Sequence, residues 1–436
     1  MKLKHGVILF TMALCLVGIS YFIPRYNSFS LLTTYTFLFL IYLFGYHYQQ
    51  ELSIKKLAIG AIALRVLMHF SIPSLSDDVY RFLWDGAMWL ENIDAYEFLP
   101  SSLIEQFKTD PYLLELYQKM NSPNYYTIYP PLNQLLFIVA SFSKNSFIGI
   151  LTIRSFILLA EIASLVGIYK LIKLGKMSTF AFYLYAFNPL ILLELTVNLH
   201  FEAFIISCLV WAMVFYYKNQ SSKIAGLMGL AIGVKILPII YLAAFFKKLS
   251  IKNYIALIIV ACAVAAVLFF PLIQTSLVEG TSTSAALYFQ NFEFNASIYY
   301  LIREIGYWRY GYNIIQSVGP YLGVLSILFI ILYNLIVSSS RPIGERLLFS
   351  WTIYCLMAMT IHPWYILPLI VFGLQSKYYF PILWSFCIFW TYIGYTETGF
   401  EESLLVTSIE YLLVIGFGLY EIILKNRKND PQPHEI

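Results

Sequence analysis

Long apolar runs, each closed off by charged or aromatic residues, constrain this chain more than any other feature. They fall at 6–24, 29–47, 55–71, 146–170, 179–197, 203–217, 253–271, 321–337, 345–361, 364–375, 379–396 and 404–424. A helix of roughly 17–25 apolar residues spans about 30 Å of hydrocarbon, and backbone crossing lipid must satisfy its own hydrogen bonds. The 28 Lys and Arg and 24 Asp and Glu gather between these runs. They make up 12% of the residues, against roughly a quarter in a soluble domain. The fold class that follows is an all-α polytopic membrane protein with about 12 transmembrane helices. It is read as one domain over 1–424, followed by a polar tail at 425–436. Two stretches do not fit a simple span. The stretch 131–143 is short, and 224–246 carries Lys235 and Pro238 at its middle, so both are expected to be re-entrant or interfacial.

Basic residues set the expected orientation. Lys2, Lys4, Lys55, Lys56, the lysines at 170–176, 218–223 and 247–252, Arg341, Arg346, Lys377 and the 425–428 cluster fall on one side when those two stretches do not cross. That side is read as cytoplasmic, with both chain ends on it. The net charge of +4 then has a topological meaning, and no nucleic-acid partner is expected. The opposite face receives two long polar segments, 72–131 and 272–320, and shorter ones around Asn198–Glu202, His362–Trp364 and Thr396–Ser403. Loops on a rigid scaffold are where function concentrates, so the chemistry is expected on this outer face. The initial MKLKH followed by an apolar run is read as a first span rather than a cleaved signal. The five cysteines lie inside apolar runs without metal-binding spacing and read as small buried hydrophobes.

Six short stretches carry candidate chemistry. In SDDVYRFLWDG, Ser76 is placed to cap a helix whose first turn holds Asp77 and Asp78. Asp78, Arg81 and Asp85 share a face of that helix, as a general base with its partner would, or as a surface ion pair would. In NYYTIYPPLNQ, Tyr129 precedes two prolines that fix the entry to a helix. In NPLILLELTVNLHFEAF, Glu194 sits at membrane depth, and Asn198, His200 and Glu202 occupy the outer end. A costly ionisable group in such a place marks a functional candidate. Lys235 in GVKILP needs a partner or an anion, unless it snorkels to the interface. Arg303 lies among aromatics in NASIYYLIREIGYWRYG. His362 and Trp364 lie in HPWYILPL, where an interfacial tryptophan anchor is the plainer reading. The sequon Asn295-Ala-Ser297 matters only in a eukaryotic secretory pathway. No metal site is expected from this spacing, and the two adjacent acids leave a divalent cation open.

Taken in order, SDDVYRFLWDG, TIYPPLNQLLF, NPLILLELTVNLHFEA, GVKILP, FNASIYYLIR and HPWYILPL resemble bacterial membrane mannosyltransferase-like proteins of the GT-C glycosyltransferase superfamily. They are similar to polyprenol-phosphomannose-dependent mannosyltransferases and to the catalytic subunit of GPI mannosyltransferase I. The resemblance covers roughly two thirds of the chain. It implies a GT-C-like bundle in a bacterial inner membrane and transfer of a hexose, expected to be mannose. The donor it implies is a polyprenyl-phosphate sugar, and the acceptor is lipid-linked or glycan. It assigns Asp77 or Asp78 as the base of an inverting displacement. Arg81, His200, Lys235, Arg303 and His362 become candidates for the leaving phosphate. Asp85, Tyr129, Asn198, Glu202 and Trp364 complete the expected substrate contacts, and no cofactor is implied. Two features depart from the family pattern: two spans precede the acid-bearing segment, and Glu202 stands where an aspartate is usual. The competing readings are a lipid-linked-sugar transporter, which would show internal repeats, and an O-antigen-ligase-type enzyme, which would carry more arginine in its large loop.

Overall fold

The computed structural model describes residues 3–273 and 292–429. The expected loop 272–320 is therefore described only in part, and residues 430–436 of the expected tail lie outside the described residues. Regular structure among the described residues is helical, apart from isolated bridges pairing Phe294 with Thr360 and Tyr395 with Phe400.

Among the described residues, six helices are long and apolar enough to cross a membrane: Lys4–Phe22, Ser28–Tyr48, Ser146–Lys173, Ile251–Phe270, Ile315–Ile336 and Leu404–Arg427. A seventh span is made if Thr179–Ala186 and Pro189–Val197, bent by 47° at Phe187–Asn188, are taken as one. The other five expected runs are also helical but shorter. Ile54–Leu67, Glu202–Tyr217 and Ile343–Met357 have 14, 16 and 15 residues. At 1.5 Å per residue these reach about 21–24 Å, short of the hydrocarbon thickness. Pro363–Ser376 and Phe380–Gly394 are short as well and include 3-10 turns. The structure thus supports six or seven full-length spans where the sequence led to about twelve. The last helix runs to Asn429, so 425–429 continue it, and the Lys425 ammonium donates to the Ser376 carbonyl at 2.5 Å. Of the five cysteines, Cys262 is exposed rather than buried, on the Ile251–Ile273 helix.

Two details position the site. The first is the close approach of α1 (Asp78–Leu90) to α2 (Pro131–Ser141). Gly86 makes this possible. A β-carbon there would fall inside the van der Waals shell of the Phe137 carbonyl and 2.6 Å from the Ser141 hydroxyl. Gly86→Ala is therefore expected to cost about 1–3 kcal/mol by overpacking, read as a lowered unfolding midpoint in detergent.

The second is a buried polar frame around the bent span. Residues Leu192–Val197 form a π-helical turn, which leaves carbonyls without regular partners. Arg154 satisfies two of them, donating to Thr196 O at 2.8 Å and Val197 O at 3.1 Å, and also donates to His69 O at 2.5 Å. Glu161 accepts from the Thr196 hydroxyl at 2.7 Å and from Arg65 Nε at 2.6 Å, and the ion pair is fully buried. Arg65 also donates to the Ala186 carbonyl at 2.9 Å, where the first half of the bent span ends. Irregular backbone at membrane depth survives only when protein satisfies it in this way.

Candidate active site

Helix α1 begins at Asp78, with Asp77 at its N-cap position. Ser76 does not occupy the cap position, but its hydroxyl still accepts the Asp78 N–H at 3.3 Å. The two acids then diverge. Asp77 forms an ion pair with Arg25 at 2.5 Å. The Asp78 carboxylate accepts the Asn121 amide at 3.1 Å and lies within electrostatic reach of Lys235. Desolvation by the surrounding protein raises the Asp78 carboxyl above its usual range. The Asn121 hydrogen bond opposes this, Asp77 adds to it, and Lys235 opposes it again.

Arg81 and Asp85 do not join Asp78, despite the shared face. Their side chains turn into the packing beneath it. Arg81 Nε holds Asp85 at 2.7 Å, and Arg81 Nη1 donates to the carbonyls of Ser122 at 2.9 Å and Tyr125 at 2.7 Å. Asp85 accepts the Gln134 amide at 3.2 Å. Tyr129 packs edge-on against Phe82, and its carbonyl accepts the Tyr96 hydroxyl. These residues fasten the chain that carries Asn121 to α1.

The bent span delivers the next group. Asn198 Oδ1 accepts the Leu75 N–H at 3.3 Å, which ties the end of the π-turn to the approach to Asp77. Asn198 Nδ2 and the Tyr392 hydroxyl both donate to Glu194, at 3.2 and 2.9 Å. Leu199 takes a left-handed conformation, φ +65°, and carries the chain to His200. Such a backbone costs of order 1–3 kcal/mol and persists where the surroundings over-determine it. His200 is buried, with Nδ1 3.6 Å from Glu194 Oε2 and neither ring nitrogen in a hydrogen bond.

Lys235 sits where the stretch 224–246 breaks. The helix Ser221–Val234 ends, Lys235 is extended, and a 3-10 helix runs from Leu237 to Phe245. Its ammonium meets Glu202 at 2.8 Å and lies 4.1 Å above the Tyr365 ring. Opposite it, the Trp364 indole is sandwiched between two imidazoles, His200 at 3.7 Å and 24° and His362 at 4.4 Å and 10°. Both faces of Trp364 are therefore occupied by protein, and stacking of a sugar ring on it is blocked in this arrangement. His200, His362 and Asp78 all lie within electrostatic reach of Lys235. Arg303 is held elsewhere. It pairs with Glu293 at 2.5 Å and Glu304 at 3.0 Å and covers the Tyr300 ring.

The structure thus gathers Asp77, Asp78, Asn198, His200, Glu202, Lys235, His362 and Trp364, and it adds Arg25, Asn121, Tyr365, Tyr392 and Tyr395. Arg25 carried a readable signal. It is a basic residue between the first two spans, on the side where the charge pattern places few. Its guanidinium also lies over Tyr395 at 5.2 Å. The tyrosines carried none, being indistinguishable from an interfacial belt. The described residues hold no cluster of three His, Cys, Asp or Glu side chains suited to a metal ion.

Residues 11–249 match the family model described as alpha-(1->6)-mannopyranosyltransferase, N-terminal domain. The matched region contains Arg25, both acids, Asn121, His200 and Lys235, and it stops short of His362 and Trp364. Neither the curated proteins nor the solved structures include a significant match. With more than half its length matched, the chain belongs to the alpha-(1->6)-mannopyranosyltransferase family, a family of mannosyl-transferring enzymes.

Proposed function

We propose that this protein transfers a mannosyl group from a polyprenyl-phosphate donor to a hydroxyl of a lipid-linked or glycan acceptor, at the outer face of a bacterial inner membrane. The single observation that carries the mechanism is the asymmetry of the acid pair. Asp77 is engaged by Arg25, whereas Asp78 has no cation in contact and faces Lys235 at longer range. Asp78 is the general base. It takes the proton of the acceptor hydroxyl as that oxygen attacks the anomeric carbon. The bond from that carbon to the phosphate oxygen breaks, and its electron pair leaves with the polyprenyl phosphate. Attack opposite the leaving group inverts the anomeric centre. Lys235 and the unpaired nitrogens of His200 meet the charge that grows on the phosphate, where preorganised donors act most strongly. Glu202 and Tyr365 hold Lys235, and Arg25 holds Asp77 out of the reaction. Arg81, Asp85 and Tyr129 are positioning residues. Arg303, already paired with two glutamates, has no role at the phosphate.

The test is consumption of radiolabelled polyprenyl-phosphate mannose by full-length protein in nanodiscs, with mixed membrane lipids as acceptor. Turnover is expected. If mannose, glucose and arabinose donors all remain intact, the reading fails and a transporter becomes the better account. The pH profile gives a second check. A base acts in its deprotonated form, so kcat/KM, which reports the free enzyme, should fall as pH drops through the Asp78 pKa. That acid limb should lie above the range of an ordinary aspartate, because burial raises this group. An acid limb at the ordinary aspartate value would exclude Asp78 as the base.

A further inference from the structure

A second acidic site adjoins the first and takes no part in the transfer. Glu402 precedes the Leu404–Asn429 helix, and Glu410 lies within it, 1% exposed. No Lys, Arg or His forms an ion pair with either among the described residues. Their partners are neutral. Glu402 accepts the Asn295 backbone N–H at 3.0 and 3.2 Å, the Thr407 hydroxyl at 2.9 Å and the Tyr300 hydroxyl. Glu410 accepts the Trp384 indole N–H at 2.8 Å and the Asn295 amide at 3.2 and 3.3 Å. Both carboxylates and Asn295 line one small cavity, with Ser403, Thr407 and Thr391. Asn295 is fully buried, and its Oδ1 has no donor. Its Nδ2 is committed to Glu410, so Oδ1 is an unused acceptor on a residue that lines the cavity together with two acids.

Glu410 is buried and Glu402 partly so; carboxylates drawn out of water without a counter-charge are costly, and an orphaned amide oxygen beside them adds to the cost. One occupant answers both. We propose that this cavity binds a hard divalent cation, Ca²⁺ in preference, with Glu402, Glu410 and Asn295 Oδ1 as ligands. The hydroxyls of Ser403 and Thr407 and water would complete the shell. An all-oxygen set without thiolate or imidazole is a poor match for Zn²⁺, Cu²⁺ or Ni²⁺, and Ca²⁺ accepts irregular sets of carboxylate, amide and hydroxyl oxygens. With two carboxylates, the affinity belongs in the weak class, on the order of 10⁻⁴–10⁻³ M. The cation would also reach the first site. Phe294, next to Asn295, exchanges backbone hydrogen bonds with Met359 and Ile361 and packs its ring 4.6 Å from His362. Fixing Asn295 fixes the wall on which His362 rests. Full burial of Asn295 also removes the sequon from use as a glycan acceptor.

The test uses chelator-treated full-length protein in nanodiscs of zwitterionic lipid, with Tb³⁺ emission excited through indole, since Trp384 touches Glu410 and Trp390 lines the cavity. A saturable component that Ca²⁺ displaces is expected. Glu402→Gln and Glu410→Gln should each lose it, and Asp78→Asn should keep it. Asn295→Asp adds a third carboxylate and should tighten Ca²⁺ binding by about tenfold, since affinity follows ligand charge. Calorimetry of Ca²⁺ binding to the wild type gives a readout that needs no variant to fold. Absence of saturable Ca²⁺ binding overturns the proposal in favour of a proton shared by the two acids. Unchanged emission in a folded Glu410→Gln overturns this location.

Discussion

Asp78→Asn should lose transfer by roughly 10²–10⁴-fold in kcat, the range general-base catalysis supplies, while Asp77→Asn should lose about tenfold or less. The difference follows from the partners. Asparagine at 78 keeps an oxygen for the Asn121 amide, so the start of α1 stays in place and only the proton acceptor is removed. Asparagine at 77 breaks the charge pairing with Arg25 but leaves a side chain of the same shape at the N-cap position. Arg25 is then freed to approach Asp78, which would lower its basicity and move the acid limb of the pH profile downward. Single-turnover measurements with saturating donor separate this from binding. If Asp77→Asn is the more damaging variant, the roles of the two acids are reversed. If both variants match the wild type, the acids only begin a helix.

Glu161→Ala is expected to be the most destabilising single change in the frame, by about 3–5 kcal/mol. It leaves Arg65 buried with its charge unpaired and the Thr196 hydroxyl without its acceptor. Replacing both members of a buried pair by apolar residues is often nearly neutral, so Arg65→Met with Glu161→Leu should recover much of the loss. Recovery will be incomplete, because Arg65 also donates to the Ala186 and Ala61 carbonyls, and the methionine cannot. Unfolding midpoints of the single and double variants in one detergent measure the coupling. Additive losses would mean the pair contributes nothing as a pair. Activity should fall with stability here, since the frame holds the π-turn that presents Asn198 and His200.

The apolar runs were legible because lipid imposes one rule on every spanning segment, which is that its backbone bonds must close locally. That rule depends on sequence alone, and the membrane-protein class with its long spans follows from it. It also made Asp78, Glu194, His200 and Lys235 candidates, since ionisable groups beside apolar runs are conspicuous against their cost. Which helices reach full length was not legible. The break near 188, the π-turn after it and the break at 235 are braced by Arg65, Arg154 and Asn133 in turn, whose side chains donate to backbone carbonyls from distant parts of the chain. The different partners of the two acids were equally hidden. Asp77 and Asp78 are neighbours in sequence with the same chemistry, and they differ only because Arg25 and Asn121 reach them from opposite directions in the chain. Arg81 and Arg303 look in sequence like phosphate ligands, yet each is held by carboxylates: Asp85 one turn along the same helix for Arg81, and the adjacent Glu304 together with Glu293 for Arg303. The sequence by itself determined which groups must be near the membrane and costly to bury. The tertiary structure decided which of them are neutralised by a partner and which remain available, because neutralisation acts over a few ångströms between residues as much as 96 positions apart.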